Sequence, residues 1–311
     1  NIFLACTTSV KQKIQKLGKM LYSIIIPHKN IPQLLQRCLD SIPRREDIQI
    51  IVIDDNSSPE IVDFAHFPGR ERDDVEIVFT REGRGAGYAR NEGLKRAKGK
   101  WLLFADTDDF FLPDFLKTLD VYGDTDYDLV TFRAESADCD TLKPVPSRQG
   151  YYGVYEKITE DVDVDYLKYR NDVPWAKMIS AKLVQEHSIR FDETPAANDV
   201  MFSAYVDYYA CKAAACSASI YCATVRPDSL QYAPVLKNLL ARVTVACRLN
   251  RFLRRIGRKD KYIYSYSRVV QCRKCFGRKG YLKALSVWLS HECRENIGKT
   301  FSDLLKAKFG R

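Results

Sequence analysis

Trp101-Leu-Leu-Phe-Ala105 runs directly into Asp106-Thr107-Asp108-Asp109. A short apolar run of this kind reads as a strand buried on both faces, the signature of a parallel sheet. The acidic cluster then occupies the carboxyl end of that strand. Upstream the same grammar repeats. Tyr22-Ser-Ile-Ile-Ile-Pro27 is an apolar run ended by proline, and Ile48-Gln-Ile-Ile-Val-Ile53 is another, broken by Asp54-Asp55-Asn56-Ser57-Ser58. Asp, Asn and Ser are turn and cap residues. Val75–Thr80 reads as a third strand of this series.

Helical patterns separate these strands. Leu34, Leu35, Cys38, Leu39 and Ile42 share one face. A glycine-rich turn at Gly83, Gly85 and Gly87 leads into a helix expected from Tyr88 to Ala97, with Gly99 as its cap. Pro113 is expected in the first turn of another helix. Strand-helix alternation of this kind predicts an α/β fold with an open, mainly parallel sheet flanked by helices. Residues 140–160 read as a loop or hairpin. Helices are expected near Glu160–Tyr169, Ala181–His187 and Asp199–Ala210, and a last strand over Ser219–Val225.

Ligands of open α/β sheets bind at the carboxyl ends of the strands. Two acidic groups lie at such ends here, Asp54-Asp55 and Asp106-Thr107-Asp108-Asp109. Crowded carboxylates repel one another unless a positive partner compensates. A hard divalent cation together with a diphosphate supplies that partner, and Mg²⁺ or Mn²⁺ suits oxygen ligands.

Four motifs carry a resemblance. They are Ser23-Ile-Ile-Ile-Pro27 with Asn30, Ile51-Val-Ile-Asp-Asp-Asn-Ser57, Ala89-Arg-Asn-Glu-Gly93 and Phe104-Ala-Asp-Thr-Asp-Asp109. In order and spacing they resemble the family 2 glycosyltransferases of GT-A fold, over roughly residues 20–230. The resemblance implies an inverting, metal-dependent transferase that takes a sugar from a nucleoside diphosphate donor, typically a UDP-sugar. It places Pro27, Asn30, Asp54, Asp55, Arg90 and Asp106 around the donor, with Asp54 on the base and Asp106 on the ribose or the metal. Asp106, Asp108 and Asp109 are its metal candidates, for Mn²⁺ or Mg²⁺. Arg90 would brace the acidic cluster or neutralise phosphate.

The same family places its general base in a Glu-Asp pair at a late helix. The matching stretch is Phe191-Asp-Glu-Thr-Pro-Ala-Ala-Asn-Asp-Val-Met-Phe202. Asp199 matches the Asp, and Asn198 stands where the Glu is usual. Pro174-Trp-Ala-Lys-Met178 also fits the family, with Trp175 as an acceptor contact. His28 and Lys29 fall where the nucleotide pocket should be.

Plainer readings exist for each residue. Asp54 could cap a helix, Asp199 could complement a helix dipole, Arg90 could be an exposed helical residue, and Trp175 could belong to the core. Gly83-Arg-Gly-Ala-Gly87 lacks the spacing of a dinucleotide fingerprint and follows the wrong strand, so it reads as a loop near the donor. Competing functions are a sugar nucleotidyltransferase and a non-catalytic scaffold that binds nucleotide sugars. Pro27-His-Lys-Asn30 lacks the glycine-rich loop of the former.

Bulk properties frame these readings. The chain has 311 residues and a net charge of +9. From Pro234 onward there are 20 Lys and Arg against four Asp and Glu, so the preceding residues are net acidic. This divides the chain into an extension at 1–19, the α/β domain at 20–233 and a basic helical appendage at 234–311, with helix breaks near Gly257–Lys261 and Gly277–Gly280. The basic helices read either as a solvated appendage or, given the aromatic residues among the basic ones, as a face for an anionic membrane surface, where a glycan or lipid-linked acceptor of surface polysaccharide synthesis would wait. No nucleic-acid module is visible. Lysines interrupt any apolar signal in residues 1–19, and no run approaches a bilayer span. The expected location is therefore cytoplasmic, peripheral to the inner membrane face, with the 10 cysteines reduced. Cys272-Arg-Lys-Cys275 has no second pair to complete a zinc site.

Overall fold

The computed structural model describes residues 20–145, 158, 163–226 and 234–309. The extension at 1–19 and most of the loop expected over 140–160 lie outside the described residues. Eight strands form one sheet in the order β3-β2-β1-β4-β7-β6-β8-β5. The first four are β1 (Tyr22–His28), β2 (Ile48–Asp55), β3 (Val75–Thr80) and β4 (Trp101–Phe104). They pair in parallel throughout, as their unbroken apolar runs predict.

The other half of the sheet is mixed. It holds β5 (Phe110–Phe111), β6 (Leu129–Asp138), β7 (Lys177–Ser180) and β8 (Ala213–Val225). β7 runs antiparallel between β4 and β6, β6 pairs in parallel with β8, and β5 edges β8 antiparallel. β5, β6 and β7 have no counterpart in the sequence reading. β5 is two residues long, β7 carries a buried lysine, and β6 interrupts its apolar pattern with Arg133 and Glu135. Each defeats a search for apolar runs.

Helices cover both faces. Along β1 and β2 the side chains alternate, Ile24, Ile26, Ile50 and Val52 to one face and Ile25, Ile51 and Ile53 to the other. The first face packs α1 (Pro32–Asp40) and α3 (Phe115–Gly123). The second packs α2 (Ala86–Leu94), α5 (Ala181–Glu186) and α6 (Val200–Tyr209), and the short α4 (Val164–Leu167) precedes β7. Two helix boundaries differ from expectation. α2 starts at Ala86, because Gly85 with φ 94° supplies its entry turn, and it ends at Leu94, so Gly99 is not its cap. Pro113 lies outside α3, whose entry is Asp114 in a left-handed conformation.

Beyond residue 234 come α7 (Leu236–Arg255), a 3₁₀ turn at Lys259–Lys261, α8 (Tyr266–His291) and α9 (Arg294–Phe309). Gly277 kinks α8 with φ 61°, at the expected break. Val245, Leu249, Phe252 and Leu253 of α7 pack against Val200, Met201 and Ala204 of α6. A second apolar cluster joins Val243 and Cys247 to Val269, Cys272 and Trp288 of α8. Cys272 is buried there while Cys275 is exposed, so helical packing accounts for only one of the pair. Every described cysteine is free, and no helix among the described residues is long and apolar enough to cross a membrane.

Candidate active site

The carboxyl ends of β1 and β4 open on a cleft of about 1160 Å³, which also takes in the N-terminus of α6 and part of α7. β1 and β2 are locked together at this edge. Asn30, in a left-handed conformation at φ 58°, accepts the Ser58 N–H and donates its own N–H to the Ser57 hydroxyl. Asn is among the few residues that hold this conformation readily.

Asp54 does not reach the cleft. It is 1% exposed, its Oδ1 takes His28 Nδ1 at 2.7 Å and the Ser57 hydroxyl, and its Oδ2 takes the Ser57 N–H at 3.0 Å. His28 is equally buried, and its Nε2 accepts the Ile31 N–H, which leaves Nδ1 as the donor to Asp54. Burial raises the Asp54 carboxyl, but the hydrogen bonds from His28 and Ser57 outweigh it and hold the group below the usual carboxylate range. The base contact expected of Asp54 is therefore replaced by an internal network.

Its neighbour is placed differently. Asp55 Oδ2 receives the Gly85 N–H at 2.8 Å and lies 3.6 Å from Lys29 Nζ, while its Oδ1 is buried with no hydrogen-bond partner among the described residues. An unpaired buried acceptor is costly unless a ligand completes it. Lys29 is half exposed beside it, so of the two pocket candidates Lys29 is at the rim and His28 is internal.

The β4 cluster divides three ways. Arg90 of α2 donates to Asp106 Oδ1. Asp108 Oδ2 takes Arg226 Nε at 2.9 Å. Asp109 is turned inward, where Tyr221 Oη donates to it at 2.9 Å and the Thr224 N–H at 2.6 Å. Burial, then the charges of Asp108 and Asp106, push the Asp109 carboxyl well above its ordinary range. Tyr221 also accepts the Asp106 N–H, and Trp175 stacks on its ring at 5.2 Å. Trp175 is thus 4% exposed yet still borders the cleft. Pro27 lines the cleft too, and its carbonyl accepts the Thr107 hydroxyl.

Among the described residues, no group of three or more His, Cys, Asp or Glu is gathered to hold a metal. The donor set nevertheless fits one. Asp106 and Asp108 border the cleft with side chains 35% and 22% exposed. Mg²⁺ and Mn²⁺ bind through one or two carboxylates, with phosphate and water completing the shell. Asp109 does not fit, since both its oxygens are already engaged inside the protein.

Asp199 lies just before the first turn of α6 and borders the same cleft. Burial and the charge of Asp172 raise its carboxyl to about 7, against the lowering effect of Arg90. Arg90 links the two acidic sites, since its other arm donates to Asn198 Oδ1 at 2.8 Å. Gly87 makes this approach possible. A Cβ there would meet the Asp192 carbonyl at 2.0 Å and Asn198 Cβ at 3.0 Å, so only glycine lets residues 192–198 lie against α2. Arg248 of α7 fastens the same segment through Asp192 at 2.7 Å.

Several of these residues escaped the sequence reading. Tyr221, Thr224 and Arg226 come from β8 and its end, and Asp172 from the segment before β7. That segment is pinned from beneath. Tyr169 N–H binds Asp207, Ser203 binds the Asp172 carbonyl, and buried Lys177 binds the Asn171 carbonyl at 2.7 Å. Ser203 and Asp207 recur at helical spacing after Asp199, which is the one sequence signal that could have linked them to the site.

The model of the Glycosyl transferase family 2 matches residues 23–187. A poly(ribitol-phosphate) beta-glucosyltransferase of Bacillus spizizenii is 28% identical over 190 residues, covering 59% of this chain and 29% of that protein. Glycosyltransferase GlyA of Streptococcus pneumoniae is 23% identical over 88% of this chain and 41% of its own length. The chain therefore spans less than half the length of these relatives. Residues 1–349 of S. aureus TarS, solved with UDP-GlcNAc, superpose with a TM-score of 0.66 at 18% identity, covering 89% of this chain and 83% of that one. A Pyrobaculum calidifontis mannosyltransferase in complex with GDP-Man and Mn²⁺ superposes at 0.51 with 14% identity, covering 94% and 81%. These structural likenesses establish a GT-A fold, and with a family match over more than half of its residues, the chain belongs to glycosyl transferase family 2.

Proposed function

We propose that the chain is an inverting glycosyltransferase. It moves a sugar from a nucleoside diphosphate donor, a UDP-sugar, to a hydroxyl of a glycan or lipid-linked acceptor in cell-surface polysaccharide synthesis. The observation that carries this reading is the pairing, in one cleft, of the Asp106 and Asp108 carboxylates at the end of β4 with Asp199, whose carboxyl is raised to about 7. A general base works best when its pKa lies near the working pH.

In this reading the acceptor oxygen bonds to the anomeric carbon as the bond to the diphosphate breaks, and the acceptor proton passes to Asp199. A single displacement from the opposite face inverts the centre. Asp106 and Asp108 would hold Mn²⁺ or Mg²⁺ with the donor phosphates. When bound, the metal supplies Lewis-acid stabilisation of the leaving diphosphate. Arg90 positions Asp106 relative to the Asn198-Asp199 turn. Asp55 Oδ1, buried and without a hydrogen-bond partner among the described residues, is the acceptor suited to a base N–H. Lys29, 3.6 Å from Asp55, borders the cleft together with Asn30.

Membrane contact fits the outward side of α8. Lys279 and Lys283 are exposed beside Leu282 and Leu289, which are 52% and 45% exposed. Basic and apolar side chains together favour an anionic interface.

The decisive experiment is donor hydrolysis and transfer with Mn²⁺ across a panel of nucleotide sugars, for the wild type and Asp108→Ala. Loss of turnover in the variant supports the reading, and equal turnover refutes it. Release of pyrophosphate from a nucleoside triphosphate would instead make the chain a nucleotidyltransferase.

A further inference from the structure

Lys177 is a buried cation to which the proposed reaction gives no task. It sits on β7, 2% exposed, opposite Thr131 of β6, and does not line the cleft. A charge so deeply buried is costly unless other groups compensate it. Its Nζ donates to the Asn171 carbonyl at 2.7 Å. Burial lowers the Lys177 ammonium, and the charges of Asp207, Asp172 and Asp199 oppose that lowering. The carboxylates that act on this cation therefore include the proposed base.

The backbone that Lys177 holds is strained. Residues 169–176 begin and end on non-glycine residues in the left-handed region, Tyr169 at φ 62° and Ala176 at φ 52°. Such conformations persist only where the surroundings enforce them. Two elements do so here. From α6, Asp207 takes the Tyr169 N–H at 2.8 Å and Ser203 donates to the Asp172 carbonyl at 3.0 Å. From β7, Lys177 takes the Asn171 carbonyl between them. Asp199, Ser203 and Asp207 recur every four residues, so the side of α6 that follows on from the base is the side that binds this turn. Tyr169, Asp172 and Val173 line the cleft together with Asp199. After burial, the charge of Asp172 does most to raise the Asp199 carboxyl.

Filling space on β7 does not require a charge, since apolar residues often replace buried ions without loss of stability. A lysine adds a donor aimed at the turn and a positive charge within reach of the base. We propose that Lys177 is a positioning residue for transfer, holding the Asn171-Asp172 turn against the first half of α6 and setting its positive charge among Asp172, Asp199 and Asp207. The assignment rests on the transferase reading above and deepens it by placing a control on the base outside the cleft. Other charges face the same groups. Arg90 of α2 and Asp106 at the end of β4 act on Asp199, and Lys168 and Lys261 act on Asp207.

The test uses the full chain with Mn²⁺ and the donor that the hydrolysis panel selects, with octyl glucoside and octyl galactoside as acceptor probes. Lys177→Met should lower kcat for transfer roughly 10- to 100-fold, the scale of a small misplacement of a reacting group, while donor KM holds. The acid limb of kcat/KM should also move to higher pH. Ser203 still holds the Asp172 carbonyl in this variant, so the lost positive charge dominates and favours the protonated base. Lys177→Arg should recover part of the rate and bring the limb back. Ser203→Ala keeps the cation, and should lower transfer less without moving the limb upward. Thermal melting checks that each variant is folded. Carbon-13 NMR of labelled aspartate carboxyls, assigned with Asp199→Asn, reads the Asp199 midpoint without substrate and should show it raised in Lys177→Met. Transfer at the wild-type rate by Lys177→Met overturns the proposal, as does an unmoved Asp199 midpoint. So does an equal loss of donor hydrolysis and transfer with the limb in place, the result of a merely structural role. If Lys177→Met does not fold, Ser203→Ala decides, and undiminished transfer overturns the proposal. If the wild type hydrolyses no nucleotide sugar, the transferase reading fails, and the NMR titration still decides whether Lys177 acts on Asp199.

Discussion

Arg226 Nε donates to Asp108 Oδ2 at 2.9 Å, so a guanidinium rests on one of the carboxylates at the end of β4. A cation and a divalent metal compete for the same oxygen. Arg226→Ala should therefore tighten Mn²⁺ binding in the absence of nucleotide by roughly fivefold, on the order of the 1 kcal/mol expected for a partly exposed ion pair. Electron paramagnetic resonance of free Mn²⁺ during titration measures it. Unchanged or weaker binding would show that Asp108 is not a metal ligand.

Asp199 gives the clearest pH signature. Its carboxyl is raised to about 7 by burial and by Asp172, and the base must be ionised to accept a proton. kcat/KM should climb with pH and level off above about 7. Asp199→Asn should lower kcat by roughly 10²–10⁴-fold. The stability effect has the opposite sense. The folded state binds more protons than the unfolded chain between the ordinary carboxylate range and about 7, so stability falls as pH rises through that window. Asp199→Asn should accordingly melt higher than the wild type above pH 7, read by differential scanning calorimetry.

The two carboxylates at the end of β2 should separate fold from binding. Asp54 is held below the usual range by His28 and Ser57, despite its burial. Its contribution is therefore present above the ordinary carboxylate pKa and is lost as pH falls through the lower folded value. Asp54→Ala leaves His28 and the Ser57 N–H without their partner and should destabilise the protein by about 3–5 kcal/mol. Asp55→Asn should instead weaken nucleotide affinity with a smaller change in stability. Urea melts and nucleotide titrations, run side by side, distinguish the two.

Gly87 tests the approach of α2 to the loop before α6. A Cβ there would meet the Asp192 carbonyl at 2.0 Å, so the segment bearing Asn198 and Asp199 has to shift. Gly87→Ala should cost about 1–3 kcal/mol in stability. Transfer should fall further than donor hydrolysis, because the displaced group is the acceptor's base. Parallel assays of the two activities check this.

The parallel half of the sheet was legible in the sequence because buried strands must be apolar on both faces, and β1 to β4 each carry such a run. Asp106 and Asp108 were legible for the same reason, since they follow directly on β4. The motif series also brought Asp199 into the same cleft as that cluster. What the sequence could not decide was which member of each acidic pair has its oxygens fully engaged inside the protein. Asp54 and Asp55 are adjacent on a strand, and Asp109 differs from Asp108 by one position. Only the placement of His28, Ser57, Tyr221 and Thr224, brought in from distant segments, turns Asp54 and Asp109 inward. The mixed half of the sheet was hidden because short or charge-bearing strands lack a periodic signal. The part of the cleft made by α7 was hidden as well. Helical spacing shows that α7 has an apolar side, but only its packing on α6 brings Arg242 to the cleft.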